Sequence, residues 1–147
     1  MLPSTFLRRL PEAVRPHLPP AAETLHMQPR GHLLKIWYGA DGSIHYEVWV
    51  HERTQQLELG LHCEAEPARN ERIRRQLGFY LFDIKAALGN AVELEVWDRG
   101  WARLYETHPL YPLDEPRLNE LAGRIGLFIR TVQPIYAEIR QALAAGK

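Results

Sequence analysis

The sequence predicts an α+β fold, an antiparallel sheet of about five strands with two long helices on one face. Three observations predict it. Residues 43–64 and 91–107 each hold two runs of period-two alternation joined by a short polar break, the pattern of a β-hairpin with one buried face. Residues 67–88 and 114–145 carry apolar side chains at helical spacing. Each helical segment follows a hairpin, so the order strand, strand, helix occurs twice.

From the N-terminus, residues 4–10 open a short helix with Ser4 as N-cap and Phe6, Leu7 and Leu10 as its apolar side. Pro11 suits the start of a second helix over 11–17, which Pro16, Pro19 and Pro20 end. Residues 21–30 read as a connector, with Pro29 and Gly31 as further breakers. The chain therefore divides into an N-terminal helical segment with a proline-rich connector, 1–31, and an α+β domain, 32–147. Residues 32–38, rich in Leu, Ile, Trp and Tyr, are the first strand, and Gly39-Ala40-Asp41-Gly42 is a turn.

In the main hairpin Ile44, Tyr46, Val48 and Val50 alternate with His45, Glu47, Trp49 and His51. Beyond a polar break at 52–55, Leu57, Leu59, Leu61 and Cys63 alternate with Glu58, Gly60, His62 and Glu64. A tip at Arg53-Thr54, or a four-residue loop of the same parity, sets Val50 opposite Leu57 and Ile44 opposite Cys63. A slip of one residue would set apolar against polar positions, so the pattern fixes the parity of the register.

The helix over 67–88 starts at Pro67, presents Ile73, Leu77, Tyr80, Leu81, Ile84 and Leu88 as one stripe, and stops at Gly89-Asn90. In the second hairpin Val92, Leu94 and Val96 point one way and Glu93, Glu95 and Trp97 the other. Asp98-Arg99-Gly100 suits a three-residue loop, which sets Trp97 opposite Trp101 and Glu95 opposite Arg103. The last helix contains Pro134, which should kink it near Arg130. Glu47-Val48-Trp49 and Glu95-Val96-Trp97 are identical, and the same offset relates Leu77-Gly78 to Ile125-Gly126. A tandem ββα repeat accounts for this, and so do two independent ββα units with shared apolar periods.

A chain of 147 residues is long enough for one hydrophobic core. Its 18 basic and 18 acidic residues give no global attraction for nucleic acid or anionic membrane. A single cysteine excludes an intramolecular disulfide and fits a reducing compartment. The first ten residues lack the apolar core of a signal peptide, and no apolar run reaches bilayer length. The expected location is cytoplasmic, with no membrane partner.

Four chemistries can be weighed on these elements. His62 and Glu64 share one face of their strand and His45 lies opposite His62; His45, His62 and Glu64 form a metal-type donor set. Their spacing is generic and exposed His and Glu are common on sheets, so no metal or cofactor is assigned. Cys63 falls on the inward parity and reads as a small core residue rather than a nucleophile. No G-x-S-x-G, P-loop or G-x-G-x-x-G occurs, which points away from an enzyme. Arg69, Arg72 and Arg75 share one side of the first long helix, and Arg99 and Arg103 accompany Trp97 and Trp101, a basic-aromatic combination that suits nucleic acid. Finally, Trp49, Trp97, Trp101 and Tyr105, with His45 and His62, fall on the sheet face opposite the aliphatic one, and an aromatic patch of this kind suits a protein partner or a second copy of the chain.

Two resemblances follow. The order helix, three strands, helix, two strands, helix resembles the secretion-chaperone fold, whose small dimeric members hold unfolded client segments. The residues Ser43-Ile44-His45-Tyr46-Glu47, Leu57-Glu58-Leu59, Asn70, Ile84-Lys85, Leu88-Gly89 and Leu94-Glu95 resemble a bacterial domain of unknown function that is appended elsewhere to predicted restriction-type nucleases. It implies a non-catalytic module near nucleic-acid enzymes. The expectation is a non-catalytic binding module, homodimeric, whose alternatives are a nucleic-acid-associated accessory domain and a metal-dependent enzyme using the histidine-rich face.

Overall fold

In the computed structural model, which describes residues 1–146, the chain is α+β. Six strands form one open antiparallel sheet: β1 (Leu25–Arg30), β2 (Leu33–Tyr38), β3 (Ile44–His51), β4 (Gln56–Cys63), β5 (Glu93–Val96) and β6 (Ala102–Pro109). Their order is β1-β2-β3-β4-β6-β5, so the two hairpins meet along β4 and β6. The helices are α1 (Pro3–Val14), α2 (Pro67–Phe79), α3 (Leu81–Leu88) and α4 (Glu115–Ala144).

Six strands and four helices replace the expected five and two. The added strand, β1, pairs with β2 from Leu25↔Tyr38 to Arg30↔Leu33. Pro29 disguises it, yet a proline is tolerated in an edge strand because one row of N–H groups has no strand to meet. At the other end, the helix expected over 67–88 divides at Tyr80, whose amide donates to the Leu77 carbonyl at 3.0 Å. Gly78, a poor helix former, lies in the turn that fails.

The two short N-terminal helices are instead one, α1, followed by a 3₁₀ turn over Arg15–His17. Pro11 lies inside it. Phe6, Leu7, Leu10 and Val14 form a single buried stripe against α4, and this packing outweighs the local break. Residues 1–31 therefore add a helix to the core and a strand to the sheet of the 32–147 unit. Asp114 caps α4 by accepting a hydrogen bond from the Arg117 amide at 3.0 Å, and α4 runs on with Pro134 inside it.

The β3–β4 register pairs Ile44↔Cys63, Tyr46↔Leu61, Val48↔Leu59 and Val50↔Leu57, as the alternation requires. The loop is the four-residue form, Glu52 to Gln55, and Gln55 adopts φ 55°. The second hairpin also keeps its expected register, Leu94↔Leu104 and Glu95↔Arg103, and the Trp97 amide donates to the Trp101 carbonyl at 2.6 Å. The aliphatic sheet face and the inner sides of the helices make one core, which includes Leu59, Leu104, Ile125 and Phe128. Among the described residues no helix is long and apolar enough to cross a membrane.

Candidate metal centre

The site lies on the other face of β3 and β4. Antiparallel pairing sets His45 directly opposite His62 and Glu47 opposite Gly60, so each strand supplies a His-x-Glu run, His45-Tyr46-Glu47 and His62-Cys63-Glu64, to one patch. Gly60, opposite Glu47, also fixes how β6 lies against β4. A Cβ there would lie 2.7 Å from the Leu104 carbonyl oxygen and 2.8 Å from the Tyr105 Cβ, so β4 and β6 approach closely only because this position has no side chain.

These residues were expected on a surface, and this is corrected: His45 is 1% exposed, His62 0% and Glu47 4%. Tryptophans close over them. Trp97 meets His62 edge-on at 5.6 Å, with Trp49 5.7 Å and Trp101 5.9 Å from Trp97. All three are half-buried rather than free.

The outer nitrogen of each imidazole is held. His45 Nδ1–H donates to the Gly42 carbonyl at 2.9 Å, since a carbonyl can only accept. His62 Nε2–H donates to Glu58 at 2.6 Å. Glu58, itself buried, is held by Arg103, which also donates to Glu95 at 2.9 and 2.6 Å and lies 4.0 Å over the Tyr105 ring.

The inner nitrogens converge on two carboxylates. His45 Nε2 lies 3.1 Å from Glu47 and 3.8 Å from Glu64, while His62 Nδ1 lies 3.2 Å from Glu64 and 3.8 Å from Glu47. One donor atom from each of the four residues falls within 4.8 Å of every other. Tetrahedral ligands at ordinary zinc bond lengths of 2.0–2.1 Å stand about 3.4 Å apart, so little movement would close the set on an ion.

Charge balance points the same way. Burial disfavours a charged His62, but its hydrogen bonds to Glu58 and Glu64 and the charges of Glu47 and Glu58 prevail and push its pKa up to about 9. Burial would raise the Glu64 pKa; the bond from His62 and the charges of His45, His62 and Lys35 lower it instead. Glu47, Glu58 and Glu64 thus share Arg103, protonated His62 and the more distant charge of Lys35, and Glu95 also draws on Arg103. A buried carboxylate without a full partner is costly.

Comparison with protein-family models, curated proteins and solved structures finds no match for this chain. Any functional reading rests on the geometry alone.

The sequence singled out His45, His62 and Glu64, and the structure brings them together. It adds Glu47 as a fourth donor and Glu58 as the group that orients His62. The doubled His-x-Glu on two facing strands was the available signal for Glu47. Most of the remaining candidates are engaged elsewhere. Arg69 pairs with Asp41 at 2.7 Å, Arg75 lies 3.9 Å from Glu71, Arg99 lies 5.5 Å over Trp101, and Arg103 belongs to the network beneath the tryptophans. Arg72, exposed on α2, makes no ion pair among the described residues. Tyr105 donates to Glu95 at 3.1 Å. Cys63 is buried on the core side, and that burial pushes its thiol pKa up to about 12.

Proposed function

We propose that this domain is a non-catalytic binding module that holds one divalent transition-metal ion between β3 and β4. The observation that carries the reading is the orientation of the two imidazoles. Each outer N–H is fixed by an acceptor, and each inner nitrogen faces the same pair of carboxylates. Metal-binding histidines are held in this way, because the outer bond sets the tautomer and aims the ring. Mixed imidazole and carboxylate donors suit zinc, iron or manganese better than calcium or magnesium. Four protein donors would complete a tetrahedral set, and three of them are buried, which supports a structural role for the ion.

Calorimetric titration of chelator-treated protein with Zn²⁺ and Mn²⁺ tests this. One ion per chain should bind, and His45→Gln or Glu64→Gln should weaken it by tenfold or more while circular dichroism stays unchanged. A folded, chelator-treated protein that takes up neither zinc, manganese nor ferrous iron would remove the reading.

A second reading is supported by the tryptophan row. Trp49 and Trp101 stand 5.7 and 5.9 Å from Trp97, and all three are partly exposed. Such a row suits capture of a protein segment or of a second copy. Trp49→Ala with Trp101→Ala should leave the domain folded and abolish capture or self-association in sedimentation experiments. Unchanged association in that variant would refute it.

A further inference from the structure

We infer that the β5 edge of the sheet is a docking site for an extended segment of a partner protein, one whose side chains alternate between apolar and basic. The site is separate from the proposed metal centre and does not depend on it. An open sheet has two edges, and here they differ. On β1 the Thr24 carbonyl accepts from the Gly39 amide, so His26, Gln28 and Arg30 turn their backbone polar groups toward β2, and Leu25, Met27 and Pro29 turn theirs outward. Pro29 therefore has no N–H to offer where a further strand would bind, which is one way natural sheets block an edge. On β5 the Trp97 amide donates to Trp101 across the hairpin, so Glu93 and Glu95 point their backbone groups at β6. Leu94 and Val96 point theirs outward, where no strand follows and no proline intervenes.

Apolar surface beside this edge is left uncovered. Val96 lies on the sheet face that the helices cover, opposite the buried Ala102, yet is 62% exposed. Next to Leu94, a hollow of about 260 Å³ opens at the α2–α3 corner, lined by Gly78, Leu81, Phe82 and Lys85. Gly78 joins it to the strand, since a Cβ there would lie 4.0 Å from the Leu94 side chain. Phe82 is 89% exposed, and Lys85 turns its Nζ to the Asn90 carbonyl at 3.3 Å, which leaves its aliphatic stem as wall. A strand added to β5 would direct every second side chain to this side, where Val96 and the hollow take apolar groups.

The alternate side chains would meet the other face, and charge there selects them. Glu93 is exposed and makes no ion pair among the described residues, and Glu95 shares Arg103 with Glu58. Two carboxylates thus draw on part of one guanidinium, and lysine or arginine on the incoming strand would complete them. The same charges disfavour a second copy as the occupant. Two β5 strands paired about a two-fold axis with matching faces would set Glu93 opposite Glu95, or Glu95 opposite itself, and like charges directly opposite destabilise a strand pair.

Nuclear magnetic resonance of the ¹⁵N-labelled full chain tests the site, with a capped hexapeptide of alternating lysine and valine as the probe. The Leu94 and Val96 amide signals should shift saturably, with a dissociation constant in the millimolar range or below, and their exchange with solvent should slow as both N–H groups gain acceptors. The same peptide with glutamate in place of lysine should bind tenfold or more weakly. So should the lysine peptide to a chain carrying Phe82→Ser and Glu93→Lys, two exposed positions whose change leaves the fold intact. Absence of a saturable shift, or a shift without slowed exchange, would overturn the assignment. Equal binding of the glutamate peptide, or unchanged binding by the double variant, would do the same. Shifts of both amides on raising the protein concentration without peptide would identify a second copy as the occupant and would also overturn it.

Discussion

On one face of the sheet β4 sends Leu57, Leu59 and Leu61 into a core closed by α1, α2 and α4; on the other, the same strand sends Glu58 and His62 beneath tryptophans, and these are as deeply buried. The first face needs only apolar volume and period-two alternation, and several aliphatic sequences of similar volume would satisfy it. The second face needs particular atoms at particular places, because each buried charge must find a partner. A polar face that deep is seldom explained by stability alone, and its inward-facing donors are the reason for assigning it a ligand.

The largest effect should come from the helix-covered face. Phe128→Ala, at a fully buried position on α4, should lower unfolding free energy by about 4 kcal/mol in urea titration, equally with and without chelator. Arg103→Ala on the other face should cost about 3 kcal/mol, because it leaves buried Glu58 with His62 as its one close cation and strips Glu95 of its partner. The two faces separate when metal is added. Zinc at a hundredfold excess over its dissociation constant should stabilise the wild type by about 2.7 kcal/mol, and Phe128→Ala by the same amount. It should stabilise His45→Gln far less. Equal stabilisation of all three would erase the distinction.

Two smaller effects sharpen it. His62 has a folded pKa near 9, above the ordinary histidine value of 6.5, so its contribution is complete below pH 6.5 and fades as pH rises toward 9. Urea midpoints of the metal-free protein should fall across that window, and a His62→Gln variant should show a flatter profile. Zinc affinity should rise over the same window, because coordination through Nδ1 displaces a proton. The reverse trend in both would contradict the assigned contacts. Cys63, buried with its thiol pKa near 12, should resist a thiol reagent in native buffer and react fully once unfolded.

How much of this was legible in the sequence differs between the faces. Alternation at Ile44–His51 and Gln56–Cys63 settled the register, because a slip would have reversed every side chain. The strand Leu25–Arg30 was hidden, since Pro29 reads as a breaker and edge pairing leaves little hydrophobic signature. The turn at Tyr80 was also hidden, because the apolar stripe continues across it into α3. On the polar face, parity located His45, His62 and Glu64. It could not show that Trp97 and Trp49 cover them, since the pairing of β4 with β6 that brings the second hairpin beside the first is a long-range contact with no local signature.

The central claim is a metal ion held by two imidazoles and two carboxylates, and X-ray absorption at the zinc edge of the loaded protein tests it most directly. The account predicts a first shell of nitrogen and oxygen alone at about 2.0–2.1 Å, with the outer-shell scattering of two imidazoles. Cys63 lies on the opposite face and should contribute nothing. A sulfur neighbour at about 2.3 Å, or a shell without imidazole scattering, would contradict it.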